Sequence, residues 1–394
     1  MFNIIFYFYK KNMRISIRIL LIVLLQYSFT NAFCLDVNIS MREQPIFLEK
    51  DTSTNTETDE IQLYSNLRFV GGFSSKNTFA IRNNASNLGF LSRTQIVPGV
   101  KAVGCLEVGV GLVGTSQQLI FHGDPGIGVG QIDNVFSSHI GYVGFESDYG
   151  NITWGKQWSP YYLIAGFTDQ FFCFGGEASG AFPDLTDGGI SGTGRASSAF
   201  NYTLTKSVVQ LALQIQHRDI TDVELYPNTY AAALLIKDVA GFTIGASYNK
   251  VRDGITNPTE FDPNKNDESA VFGVKYQGKR FRLATTYSKS KNHMTDDAGN
   301  YFDGWGLELF AAYNINSNWE VHAGGNYLKP DKDMAGDYLL QYLVIGSSYT
   351  FNEKINLFVE IKLDDSFNMD GSPGREDIIG FGMFYNISSK KFRF

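Results

Sequence analysis

Cysteine is scarce: three in 394 residues, with no Cys-x-x-Cys pair, too few for a disulfide framework. The five histidines, His122, His139, His217, His293 and His322, show no metal-ligand spacing, so no metal or other cofactor is expected. After the first 32 positions no apolar run approaches the roughly 18 residues that a spanning helix needs, which excludes a helical membrane protein beyond the N-terminus. An excess of positive charge is also missing. Lys plus Arg total 33 against 40 Asp plus Glu, a formal charge of -7, so no nucleic acid partner is expected. Proline is limited to 10 residues against 40 glycines. What the chain has in quantity is aromatic surface. Its 32 Phe and 21 Tyr are too many for a chain without a core, which excludes disorder.

The N-terminus reads as an address. Lys10, Lys11, Arg14 and Arg18 precede the apolar stretch Ile19 to Leu25, and the small residues Thr30 and Ala32 follow. This pattern predicts a cleaved export signal over 1–32, with Met13 as an alternative start. A lipoprotein reading through Cys34 is opposed by Phe33, where a small residue is needed. Loss of the four bases of this segment would leave the exported chain at about -11. Residues 33–60 form a polar, Thr- and Glu-rich extension without period.

From Ile61 to the end, segments of about ten residues alternate apolar and polar side chains, and a period of two separates the two faces of a strand. Ile355, Leu357, Val359, Ile361 and Leu363 share one face, with Asn356, Phe358, Glu360 and Lys362 on the other. Val209, Leu211, Leu213 and Ile215 repeat the pattern opposite Gln210, Ala212, Gln214 and Gln216. The polar face is rich in Gln, Asn, Ser and Gly, and Tyr, Trp and Phe gather near the apolar ends, as a polar lumen and aromatic girdles require. Lipid leaves no partner for a free strand edge, so the sheet must close. The fold class is therefore all-β: an antiparallel transmembrane β-barrel over 61–394, of about sixteen strands, running from 61–71 to 375–387. Short connections such as Val97-Pro98-Gly99 alternate with longer ones such as Thr256 to Asp267, the arrangement of an outer-membrane barrel. At the chain end Phe392 and Phe394 are out of parity with Phe381, Met383, Tyr385 and Ile387. Either a bulge lies near Ser388 to Lys391 or the last strand stops at Ile387.

One connection is much longer than the rest. Residues 158–194, after the fifth strand, carry Tyr161, Tyr162, Phe167, Phe171, Phe172, Phe174 and Phe182. Such aromatic content predicts a loop that packs rather than one in solvent, and loops of this length in compact folds are usually functional. Folded inward, it would narrow the pore and set carboxylates in the path of solutes.

The chain here resembles the general porins of Gram-negative outer membranes. The stretch Tyr149-Gly150-Asn151-Ile152-Thr153-Trp154-Gly155-Lys156 is similar to that family's Tyr-Gly-x-x-x-x-Gly-Arg, with Lys156 in the place of the arginine. Thr168-Asp169 and Phe174-Gly175-Gly176-Glu177 resemble the two acidic stations of its constriction loop, although Cys173 stands where a glutamate is expected. Arg195-Ala196-Ser197-Ser198-Ala199-Phe200-Asn201-Tyr202 resembles the strand that follows, and Asn87 replaces a wall arginine, with Arg93 on the same face. The resemblance implies a passive diffusion channel for ions and small hydrophilic solutes, and not an enzyme. It also implies a homotrimer in the phospholipid and lipopolysaccharide bilayer, inserted by the barrel assembly machinery, which is thought to read a terminal aromatic residue such as Phe394. The constriction would set acids Asp169, Glu177, Asp184 and Asp187 against bases Lys156, Arg195, Arg280 and Arg282, the last two placed by parity alone, with a rim site for lipopolysaccharide phosphates as their alternative. Opposed fixed charges orient dipolar solutes, and the acidic total suggests a mild preference for cations.

Other motifs carry less. Gly109-Val110-Gly111-Leu112-Val113-Gly114 fits a dinucleotide pattern, but nothing after it reads as a helix. No nucleophile elbow accompanies His217 or His322 to support a hydrolase. A substrate-specific channel or a surface adhesin on the same barrel stays open as an alternative.

Overall fold

The computed structural model describes residues 59–112, 135–183, 186–187, 189, 191–217, 229–252, 267–331, 336–352, 354–388 and 392–393. The expected signal over 1–32 and nearly all of the extension over 33–60 lie outside these residues, although Glu60 already belongs to the first strand. The strands are β1 Glu60–Ser74, β2 Phe79–Asn83, β3 Asn87–Val97, β4 Val100–Val110, β5 Phe136–Ser147 and β6 Gly150–Trp158. After a short helix, α1 Tyr162–Ala165, come β7 Arg195–Lys206, β8 Val209–Gln216, β9 Thr229–Val239, β10 Phe242–Val251, β11 Glu268–Gln277 and β12 Phe281–Thr295. The last are β13 Tyr301–Asn314, β14 Trp319–Pro330, β15 Leu340–Phe351, β16 Ile355–Asp364, β17 Ile378–Ser388 and β18 Phe392–Arg393.

All pair antiparallel with their neighbours, and β1 closes the sheet by pairing with β3 on one side and β17 on the other. The eighteen segments make sixteen staves, because two staves are interrupted. Along β1, Phe69 opposes Asn83 and Asn66 opposes Asn87, so three steps on β1 meet four on its partner. The same offset occurs at the chain end: Tyr64 opposes Ser388, and Ile61 opposes Phe392. One extra residue in one strand is a β-bulge. The bulge reading of the chain end is thus the right one, and it explains the change of parity; Phe394 lies outside the described residues.

The alternation sorts side chains as the sequence suggests. Leu213, Ile236, Leu283, Leu309 and Leu357 stand exposed on the outer surface, while Gln216, Asn249, Thr286, Glu308 and Glu360 are buried within. This inverts the distribution of a water-soluble protein and is what a lipid-facing band with a polar interior demands. Among the described residues no helix is long and apolar enough to cross a membrane. The strands are joined alternately by tight turns at one end and long connections at the other. At the tight turn after β3, Pro98 presets its own backbone and Gly99 takes φ 81°, the left-handed region that side chains resist.

Candidate functional site

The connection from β6 to β7 turns inward and contacts the inner wall at several strands. It leaves β6 at Trp158, whose ring stacks on Tyr162 of α1 at 4.0 Å. Ile164 then lies against Gly245 of β10 and Gly273 of β11, and Phe167 also reaches Gly273. Thr168 donates to Glu308 Oε2 of β13 at 2.5 Å, and Phe171 packs edge-on against Phe310 of the same strand. At the far wall Phe172 stacks on Phe358 of β16 at 4.8 Å, and Asn84, at the β2–β3 bulge, donates to the Phe172 carbonyl at 2.7 Å. The chain then returns past Asn326 of β14, which accepts from the Glu177 backbone N–H at 2.9 Å. His293 of β12 contacts the Gly180 carbonyl at 2.7 Å, and Asn249 of β10 donates to the Ser191 carbonyl at 2.8 Å. The loop is a hairpin laid across the lumen and fastened along both arms.

Two features of the wall make this possible. The first is a set of inward positions without side chains. A Cβ at Gly306 would collide with the Ala178 carbonyl, and one at Gly380 would sit 2.7 Å from Cys173 Sγ, so glycine at these places lets the loop backbone approach the sheet. The second is a pair of fully buried carboxylates. Glu360 accepts from the backbone N–H groups of Phe172 at 2.6 Å and Cys173 at 2.7 Å, and Glu308 from those of Ala178 and Ser179, both at 2.8 Å. A loop inside a barrel leaves backbone donors without strand partners, and a carboxylate accepting two of them forms strong, charge-assisted bonds. His322 Nε2, 2.9 Å from Glu360 Oε1, adds a further contact to that buried charge.

Charges collect on the remaining wall. Asp187 of the loop bridges two bases: Arg195 Nη2 at 2.6 Å and Lys156 Nζ at 3.1 Å. Arg93 pairs with Glu146 at 3.2 Å, and His139 with Glu107. Arg282 donates to Gln170 Oε1 of the loop at 2.8 Å and to Glu320 at 2.6 Å.

Comparison with known proteins bears on this arrangement. The sequence profile described as Gram-negative porin matches residues 51–391. The chain belongs to the Gram-negative porin family. Outer membrane porin protein LC of Enterobacteria phage PA-2 is 25% identical over 358 residues, spanning 84% of this chain and 93% of that one. Outer membrane porin protein OmpD of Salmonella typhimurium strain LT2 is 26% identical over 357 residues, with the same coverage. The fold matches the OmpF of Salmonella typhi solved with daunomycin, with a TM-score of 0.65 at 18% identity over 84% of this chain and 97% of that one. It also matches the trimer form of OmpT from Vibrio cholerae, with a TM-score of 0.61 at 14% identity over 84% and 99%. The protein is thus a passive diffusion channel of the outer membrane, and not an enzyme.

Several residues of the porin take positions that the sequence reading did not give them. Arg280 lies exposed on the short turn between β11 and β12, its Nη1 3.4 Å from the Tyr313 hydroxyl, because the Gly278 N–H bonds to the Phe281 carbonyl and closes the turn before the strand begins. It belongs to the tight-turn rim and not to the loop's surroundings. Asn87 is fully buried in the wall, where it accepts from Asn66 at 2.7 Å. Cys173 is fully buried in the loop itself, its sulfur turned to the wall at Gly380, so neither lines an open passage. Asp169 is also buried, with the Tyr162 hydroxyl donating to it at 2.6 Å. Asp184 lies outside the described residues.

Glu177 is held in a latch that the sequence gave no sign of. Arg375, in the connection between β16 and β17, donates to both oxygens of Glu177 at 2.8 and 3.0 Å and to both of Asp297 at 3.0 and 2.6 Å. Three connections at the long-loop end are tied by one guanidinium, whose planar fork suits paired carboxylates. Burial pushes the Asp297 carboxyl up, but the Arg375 guanidinium outweighs it and holds it below the usual range. A depressed carboxylate stabilises the latch above its ordinary pKa and loses that contribution as pH falls through the depressed value. Limited proteolysis of the loops is therefore expected to stay constant from neutrality through the ordinary carboxylate range and to rise only below it, while Arg375→Gln shows the higher rate throughout. An equal rate for wild type and variant at neutral pH would contradict the latch.

Proposed function

We propose that residues 158–194 are the constriction of this porin and that its filter is the contact of Asp187 with Lys156 and Arg195, supported by the Arg282–Glu320 pair. The observation that carries this reading is the fastening of the loop across the lumen by Glu308 and Glu360. A loop fixed at this many points narrows the bore without blocking it by chance motion, and solutes then pass by size and by their fit to opposed charges in a passage of reduced dielectric. The acidic total of the chain favours a mild preference for cations. The working unit is a homotrimer in a bilayer of phospholipid and lipopolysaccharide, delivered by the barrel assembly machinery after residues 1–32 are removed. The reversal potential across a KCl gradient tests the selectivity: a potential of the sign set by cations is expected, and one set by anions overturns that part of the reading.

A further inference from the structure

On the tight-turn side of the loop lies a cavity of about 50 Å³, between α1 and the inner faces of β1 and β4–β8. None of its lining side chains carries a charge, although the charged groups of the wall surround it: Arg93 turns to Glu146, and Lys156 and Arg195 to Asp187. One side is apolar, with Ile140 and Leu163; the other presents Asn151, Asn201 and Thr203. The floor is opened by Ala212, which stands directly opposite Thr203 in the β7–β8 ladder.

Asn201 is 8% exposed. Its amide nitrogen donates to the Trp158 carbonyl at 3.2 Å, but its Oδ1 is buried and receives no donor. Gln214, its direct partner across the ladder, is also buried but lies outside the cavity lining. Buried acceptors in folded proteins are rarely left without a donor, because each forfeits the bonds it made to water. The site therefore calls for a molecule that donates a hydrogen bond and brings no net charge. A cation would require a carboxylate on the lining and an anion a base, and the lining has neither. A cavity needs roughly 10–15 Å³ to hold one water, so the space exceeds one water.

We propose that this cavity is a binding site for a small neutral polyol of about the size of glycerol, with a hydroxyl donating to Asn201 Oδ1 and the carbon chain resting on Ile140 and Leu163. It would give the porin a saturable station for uncharged solutes beside its charged filter. This deepens the channel reading and rests on it. The test uses the full-length protein in two settings, with its KCl conductance recorded separately so that a failed channel is not mistaken for a failed site. In detergent, saturation-transfer NMR with glycerol is expected to show transfer to the polyol protons that erythritol competes away. In proteoliposomes, glycerol influx is expected to saturate with concentration, whereas influx of the zwitterion glycine stays linear. Asn201→Leu, which removes the acceptor, is expected to lower the glycerol-to-glycine influx ratio about fivefold, the factor one neutral hydrogen bond is worth, and Ala212→Leu, which fills the floor, to lower it as well. If a variant does not fold, the wild-type saturation and competition decide alone. Linear glycerol influx with no transfer signal would mean that water alone fills the cavity and would overturn the proposal, as would a ratio unchanged in both folded variants.

Discussion

Replacing Glu308 and Glu360 together by alanine is expected to raise the single-channel conductance above that of the wild type and to increase the open-channel noise severalfold. The two carboxylates accept four backbone N–H groups of the loop, those of Phe172, Cys173, Ala178 and Ser179. A buried donor left without an acceptor costs on the order of 1–3 kcal/mol, so these two stretches gain by lifting off the wall into water. Burial of a large apolar side chain returns about 1.5–3 kcal/mol, enough for Tyr161, Ile164 and Phe167 to keep the first arm of the loop seated. The result is a loosened loop and not an empty barrel. The strand ladders are untouched, so the barrel itself should melt close to the wild-type temperature. A double variant with wild-type conductance and noise would show that the apolar contacts alone hold the loop.

Asp187→Asn is expected to move the permeability ratio toward anions by up to about tenfold, since a unit charge about 6 Å from the path changes the energies of a passing cation and a passing anion by roughly 0.7 kcal/mol each, in opposite directions, even at the dielectric of water. The reason is that Asp187 bridges two bases, Lys156 and Arg195, and its removal raises the net charge of that group by one. Arg195→Ala should move the ratio the other way. Asp169→Asn should do less to it, because Asp169 makes its contact with the Tyr162 hydroxyl inside the loop and not with the bases of the filter. High salt should shrink the first two shifts, as screening weakens fixed charges over distances beyond roughly 10 Å at 0.1 M. Reversal potentials in matched gradients measure all three. A larger shift from Asp169 than from Asp187 would relocate the filter along the loop.

The barrel was legible because its determinant is local. Val209 to Gln216 and Ile355 to Leu363 alternate on their own, and lipid outside with polar groups inside requires only that period. The aromatic content of 158–194 likewise announced a packed segment. What stayed hidden depends on contacts between residues far apart in sequence. Glu360 was placed inward by parity, yet nothing near it shows that it meets Phe172 and Cys173, 188 and 187 residues away. Arg375 is an arginine in a loop until Glu177, 198 residues earlier, is seen beside it. The glycines opposite the loop, Gly245, Gly273 and Gly306, could be read as ordinary strand glycines, and only the loop's course shows what they make room for. Arg280 was misplaced by one rule applied too far: parity holds within a strand, and its residue lies in the turn.

An open channel narrowed by an anchored loop is tested most directly by the single-channel conductance of the refolded protein in a planar bilayer with KCl. Such a channel should give stable, ohmic open steps that close in groups of three. A correctly folded barrel that never conducts would contradict it, because the loop would then seal the lumen and not narrow it.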